Sequence, residues 1–256
     1  MRQFVLPSSW RGENSLVLTG REHHYLSRVL RLSPGAGFPA VDSNGLRYTC
    51  RIRTMDTAAT SVTVTPTVEE KKESEIQLTL LLGIPKGKKM DQVIRQATEC
   101  GVHRLIPFLS EHCTVQLDTE DFKRKQERWQ KIAREALQQS GTRVSPDILL
   151  PIRHPELEEA TRDLDKVFFF HEKALDGPNL HELLHTGPRK IGLLIGPEGG
   201  FSNQELELFF SLQYYSVYLG DSVLRAETAA LYAVAAVQTI LRESRRWQLQ
   251  SPEHGA

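Results

Sequence analysis

Ile191-Gly192-Leu193-Leu194-Ile195-Gly196-Pro197-Glu198-Gly199-Gly200-Phe201-Ser202-Asn203-Gln204-Glu205 contains three kinds of local sequence in succession. Ile191 to Ile195 is a short continuous apolar run, as a strand buried on both faces requires. Gly196 to Gly200 is a glycine-rich loop. Ser202-Asn203-Gln204-Glu205 is a capping box, in which the serine accepts from an amide three residues on and the glutamate reaches back, so a helix starts at Ser202. Ligands of open α/β folds sit at the carboxyl ends of strands, and glycines there bring the backbone close to a ligand with no Cβ in the way. The same loop also fits a tight structural turn. It is neither Gly-x-Gly-x-x-Gly nor a Walker sequence, so neither a dinucleotide nor a nucleoside triphosphate is indicated.

The pattern recurs downstream. Val217 to Leu219 reads as a strand, Gly220 follows, and Asp221-Ser222-Val223-Leu224-Arg225 leads into a helix from Ala226 to Glu243. Two such loops are placed to line one pocket. Arg225 fits either a salt bridge to Glu198 or Glu227 or a contact with substrate.

Upstream, Ile76 to Leu82 is another continuous apolar run, and Met90, Val93, Ile94 and Ala97 mark a helix over Lys89 to Cys100 that Gly101 is placed to end. Leu105 to Leu109, Ile148 to Leu150 and Val167 to Phe170 read as strands, and Glu120 to Ser140 as a long helix. Alternating strands and helices predict a mostly parallel α/β sheet. Lys86, Lys88 and Lys89 lie between a strand end and a helix start, against the preference of lysine for helix C-termini. A solvated loop and a phosphate partner both account for them.

The first part of the chain has a different rhythm. Leu16 to Leu18, Gly37 to Val41, Leu46 to Arg53 and Ser61 to Thr65 are short β-rich runs, with Asn44-Gly45 as a hairpin turn and one helix over His23 to Leu32. This pattern predicts a small β-barrel. Pro66 to Glu75 has no apolar period and reads as a linker. The predicted division is 1–72 for the barrel and 73–245 for the α/β domain, with 246–256 as a disordered tail.

The chain has 32 basic and 32 acidic residues, but the balance is uneven. Residues 1–53 hold eight arginines, no lysine and three acidic residues, a net of 8 − 3 = +5. Arginine forks match phosphate oxygens at two points, so this excess fits a structured polyanion as well as ordinary surface charge. The absence of a long apolar run excludes a membrane span, and the N-terminus lacks the apolar core of a signal peptide. A cytoplasmic location follows as the expectation. Cys50, Cys100 and Cys113 read as buried free thiols. Cys100-x-x-His103 and His112-Cys113 lack the second pair a zinc site needs, so no metal is expected. No Gly-x-Ser-x-Gly supports a hydrolase.

Leu194 to Ser202, together with Leu219-Gly220-Asp221-Ser222-Val223-Leu224-Arg225-Ala226-Glu227-Thr228-Ala229, resembles the ribosomal RNA small subunit methyltransferase E family of SPOUT-class enzymes. The resemblance extends to His24 through Leu32 with Pro34-Gly35, Pro85-Lys86-Gly87 through Val102, Trp129 through Gly141, and His171-Glu172, in order along most of the chain. It implies S-adenosylmethionine-dependent methylation of N3 of a uridine in 16S rRNA, position 1498 in the conventional rRNA numbering, within the small ribosomal subunit. The fold it implies is a SPOUT-type trefoil-knotted parallel sheet with helices on both faces, preceded by a PUA-like RNA-binding β-barrel, in a homodimer. Threaded chains are very rare, so the knot rests on the resemblance alone.

By position, the resemblance puts Leu194, Ile195, Gly196, Gly200, Leu219, Gly220, Val223 and Leu224 around the cofactor, with His171 and Glu172 at its edge. Arg225 faces the target uridine, and Glu198 and Glu227 are the candidate proton acceptors. Arg2, Arg28, Arg31, Lys86 and Lys88 are the candidate RNA contacts. The chain departs from the family's usual residues at Gln96 (lysine), Cys100 (leucine), Gln138 (glutamate) and Asp221 (proline). The acidic Asp221 alters the charge beside the cofactor loop. Two other readings are a catalytically silent RNA-binding protein of the same fold and a SPOUT enzyme acting on tRNA or another base. The charge split predicts that replacing Arg28 and Arg31 with glutamate weakens RNA binding, measured by filter retention, and leaves cofactor binding intact. Equal loss of both would contradict the division of labour between domains.

Overall fold

Ile191 to Ile195 and Ile76 to Leu82 read as uninterrupted apolar runs because helices cover both faces of the sheet they form. In the computed structural model, which describes residues 4–7, 9–42, 46–67, 76–113, 119–142, 145–175 and 177–249, the chain divides into two compact units. One is Met1–Lys72 with Arg134–Ser145, the other Glu73–Ala133 with Pro146–Ala256. Arg2, the Asn44-Gly45 turn, residues 68–75 of the expected linker and residues 250–256 of the expected tail lie outside the described residues.

The first unit contains β1 (Phe4–Val5), β2 (Ser15–Thr19), α1 (Gly20–His24), β3 (Gly37–Val41), β4 (Arg47–Met55) and β5 (Ala59–Pro66). The strand order is β1-β3-β4-β5-β2; β1 runs parallel to β3, and the other pairs are antiparallel. Alternate residues of β5, Thr60, Val62 and Val64, point inward, and Val62 and Val64 join Phe4, Leu18, Leu26, Phe38, Cys50 and Ile52 in one core. Burial pushes the Cys50 thiol up to about 12, whereas Cys100 and Cys113 are only half-buried, short of the expected burial. Arg134–Ser145 groups here because Leu137 packs with Val5 and Val41.

The expected helix over His23 to Leu32 is not regular. α1 starts earlier, at Gly20, and passes into a π-helical turn over Tyr25–Val29. The Leu32 amide donates back to the Leu26 carbonyl at 3.0 Å, with Arg31 at φ 53°. A left-handed residue that turns the chain back onto its last carbonyls is how many helices end; here an arginine takes the place usual for glycine.

The second unit contains β6 (Gln77–Gly83), α2 (Lys89–Glu99), β7 (Arg104–Leu109), α3 (Thr119–Ser140, whose last turns belong to the first unit), β8 (Asp147–Ile148), β9 (Ile152–Arg153), α4 (Leu157–Thr161), β10 (Lys166–His171), α5 (Leu180–His185), β11 (Lys190–Ile195), α6 (Asn203–Ser211), β12 (Tyr215–Tyr218) and α7 (Ala226–Leu249). Among the described residues the strand order is β12-β10-β11-β6-β7-β8, with β9 also on β7, and every pair is parallel. Side chains alternate between two cores, as the two-residue strand period demands. Leu78, Leu80, Leu82, Phe168, Phe170, Leu193 and Ile195 face α2, α5 and α7. Leu81, Val167, Phe169 and Leu194 face the opposite side, with Leu157 of α4 and Phe209 of α6. The Ser202 capping box forms as expected. Asn179 and Glu182 form a second one that starts α5, a short helix not among the expected elements although Asn-x-x-Glu is a helix-start signal. α7 continues past the expected Glu243 to Leu249, four residues into the expected tail of 246–256.

One contact fixes where β11 ends. A Cβ placed on Gly83, the last residue of β6, would lie 2.4 Å from the Pro197 nitrogen and 2.8 Å from the Gly196 carbonyl carbon. Only glycine fits there, because the obstruction is backbone. The Gly83→Ala substitution is expected to cost about 1–3 kcal/mol, read as a lower denaturant midpoint with an unchanged slope. An unchanged midpoint would show that this approach is looser than described.

Candidate functional site

Parallel pairing aligns the carboxyl ends of neighbouring strands. His171 pairs with Tyr218, Phe170 with Ile195, and Ile195 with Leu82. The loops after β12, β10, β11 and β6 therefore leave the sheet side by side, which brings the two glycine loops and His171-Glu172 to one place.

The loop after β11 is held along its length. The Gly200 amide closes a turn onto the Pro197 carbonyl at 2.9 Å, with Gly200 itself at φ 68°. His112 Nδ1 lies 2.9 Å from the Gly199 oxygen. Glu205, only 1% exposed, accepts from the Ser110 hydroxyl at 2.9 Å, the Glu111 amide at 3.1 Å and the Ser202 amide at 2.9 Å. A buried carboxylate is tolerable when its oxygens are hydrogen-bonded in this way. Its donors tie the turn after β7 to the start of α6. In the loop after β12, Gly220 lies at φ 116°, and the Tyr218 hydroxyl donates to Asp221 Oδ1 at 2.7 Å. The carboxylate that replaces the family's usual proline is thus engaged locally.

Between these loops lies an open cleft. Of the residues expected around the cofactor, Ile195, Gly196, Gly200, Leu219, Gly220, Val223, Leu224, His171 and Glu172 line it. Leu194 does not: the strand alternation turns it into the opposite core, beside Leu81 and Phe169. Phe170, Phe201, Ser222, Ala226 and Ala229 also line the cleft. The two alanines could have been found from the sequence, since they stand three apart in the first turns of α7 and so share a face. At Gly200 and Gly220 the space a Cβ would occupy is open.

The charges are arranged differently from expectation. Arg225 pairs with neither Glu198 nor Glu227. It is exposed, and among the described residues its side chain has no hydrogen-bond or ion-pair partner. Its carbonyl accepts the Thr228 and Ala229 amides at 2.9 and 2.8 Å, so this cation stands at the N-terminus of α7, where the helix dipole disfavours it.

Both acids belong instead to Lys89, whose Nζ lies 2.8 Å from Glu198 Oε1 and 3.5 Å from Glu227 Oε2. The Lys86 amide also donates to Glu198, at 3.3 Å. Lys89 is raised above its ordinary value, chiefly by the hydrogen bond to Glu198. Burial alone would push Glu198 up; the hydrogen bonds from Lys89 and from backbone amides, with the charge of Lys89, outweigh it and hold the carboxyl below its ordinary value. A carboxylate held ionised in this way is a weak proton acceptor. Lys89 at the start of α2 is thus explained by two acids, without a phosphate. Lys86 and Lys88 are exposed. Among the described residues no group of three or more His, Cys, Asp or Glu is disposed to hold a metal ion, and no helix is long and apolar enough to cross a membrane.

A family profile described as an RNA methyltransferase domain matches residues 72–238. The ribosomal RNA small subunit methyltransferase E of Bacillus subtilis is 32% identical over 225 residues, covering 86% of this chain and 88% of that protein. Its namesake in Synechocystis sp. is 32% identical over 231 residues, covering 90% and 74%. The crystal structure of the Neisseria gonorrhoeae protein of the same name, bound to S-adenosyl methionine, superposes with a TM-score of 0.78 at 28% identity, covering 94% of this chain and 98% of that one. With its glycine loops, its parallel sheet and these relatives in agreement, the chain belongs to the ribosomal RNA small subunit methyltransferase E family.

Proposed function

We propose that this protein transfers a methyl group from S-adenosylmethionine to N3 of a uridine in 16S rRNA, position 1498 in the conventional numbering, on the small ribosomal subunit in the cytoplasm. The observation that carries the reading is the shared cleft: two glycine loops and His171-Glu172 leave three adjacent parallel strands and line one cavity. The cleft suits this cofactor. Leu219, Val223, Leu224, Ala226 and Ala229 offer apolar surface to an adenine, and the backbone at Gly200 and Gly220 is open. Glu172 and Glu198 are acidic residues of the lining, and among the described residues no lysine or arginine lines it to repel a sulfonium.

When bound, the cofactor supplies an electrophilic methyl group. The chain's own residues then have two tasks, alignment and charge. Gly196 to Gly200 and Leu219 to Leu224 fix the approach, and in-line alignment contributes up to about 7–11 kcal/mol in ideal cases. The methyl replaces the uracil N3 proton, which passes to solvent water in this reading, and the thioether S-adenosylhomocysteine is the leaving group; the deprotonated ring spreads negative charge onto its carbonyls. Arg225, exposed and unpaired, is free to stabilise that charge. Glu198 and Glu227, paired with Lys89, serve as structural acids in this reading and not as proton acceptors.

The rest of the assembly follows from the same reading. The first unit acts as a PUA-like RNA-binding domain through Arg28 and Arg31, both exposed, with Arg2, Lys86 and Lys88 as further contacts. The second unit is a trefoil knot. In support, β11 inserts between β10 and β6, and the chain leaving β11 passes against the end of β6 at Gly83. The protein acts as a homodimer, for which Val223, 78% exposed, and Tyr232, 52% exposed, offer apolar contacts.

Transfer of labelled methyl groups to assembled small subunits tests the reaction. Arg225→Ala is expected to slow transfer by about a hundredfold while cofactor binding by calorimetry stays close to wild type. Transfer at the wild-type rate would remove Arg225 from the reaction.

A further inference from the structure

We infer that Lys89 is a positioning residue that couples the two walls of the cofactor cleft and thereby sets cofactor affinity. The inference rests on the proposed function. Lys89 opens α2, which follows β6; Glu198 lies in the loop after β11; Glu227 lies in the first turn of α7. One ammonium therefore reaches two carboxylates, one in the loop after β11 and one at the start of α7, at 2.8 and 3.5 Å. Glu198 is itself a lining residue. Glu227 lies directly behind Leu219, Val223 and Leu224 in the chain and beside Ala226, which all line the opposite wall.

The two carboxylates depend on the lysine to different degrees. Glu198 also accepts the Lys86 amide at 3.3 Å. Glu227 Oε2 is buried, and among the described residues its polar neighbour is the Lys89 ammonium at 3.5 Å, longer than an ordinary hydrogen bond. Removing the ammonium would leave that oxygen as an uncompensated buried charge, which breaks the local structure more readily than it is endured. Glu227 would turn toward water and carry the start of α7, with Val223 and Leu224, away from Gly196 to Gly200. The cleft would widen without loss of any group that touches the reacting atoms. The helix position argues the same way, since a lysine at a helix N-terminus is disfavoured unless nearby acids offset it.

This role differs from a merely structural one in what it changes. Lys89→Met keeps most of the side-chain bulk and removes the charge. Calorimetry with S-adenosylmethionine is expected to show affinity about tenfold weaker, the scale of a charge-assisted hydrogen bond lost. On small subunits, the KM for the cofactor rises by a similar factor, while kcat at saturating cofactor falls far less. Lys89→Arg recovers most of the affinity. Glu227→Gln weakens binding on its own, and added to Lys89→Met it has little further effect, because both remove the same link.

Cofactor affinity unchanged in both Lys89→Met and Glu227→Gln would overturn the inference. So would a fall in kcat with KM unchanged, or additive losses in the double variant. If wild-type protein bound no S-adenosylmethionine, the proposed function itself would fail, an outcome distinct from equal binding by wild type and Lys89→Met.

Discussion

The second unit depends on a backbone-to-backbone contact. β6 ends at Gly83 directly against Gly196-Pro197, so close that no side chain fits between them. Proline stiffens one side of the contact by fixing φ, and the absence of a Cβ permits the other. Because β11 pairs with β6 in register from Lys190↔Gln77 to Ile195↔Leu82, the glycine loop must leave the sheet at this one level. The neighbouring β10 and β12 end at the same level, and the cleft forms where their loops diverge. The buried Glu205 and the exposed His112 then hold the far side of the loop. The loop is therefore held from below by the sheet and from the side by the turn after β7.

Charge adds a second layer of organisation. Lys89 engages Glu198 and Glu227, and among the described residues Arg225 has no carboxylate partner at a helix start that does not favour a cation. The helix dipole disfavours a cation there only mildly, because Arg225 is exposed and solvated, and in the proposed reaction the arginine is available to an anionic partner.

Much of this was legible in the sequence, and for identifiable reasons. The continuous apolar runs at Ile76–Leu82 and Ile191–Ile195 declare strands covered on both faces, and the Ser202 capping box marks the start of α6 within a residue. The cleft lining followed from the loops, with Leu194 as the exception, because the resemblance places a residue on a strand without saying which face it takes. Two features were not legible. The π-helical turn over Tyr25–Val29 has no signature in the spacing of its apolar residues. The pairing of Lys89 with Glu198 and Glu227 joins residues more than a hundred positions apart. Sequence proximity suggested Arg225 as their partner, and only the sheet order shows that the start of α2 is nearer.

The most direct test of the account is mass mapping of 16S rRNA from a strain lacking the gene, against its parent and a complemented strain. The account predicts that one uridine loses a methyl group on N3 and that purified protein with S-adenosylmethionine restores it on isolated small subunits. Unchanged 16S rRNA, with a methyl group missing from tRNA or from the large-subunit RNA, would contradict it.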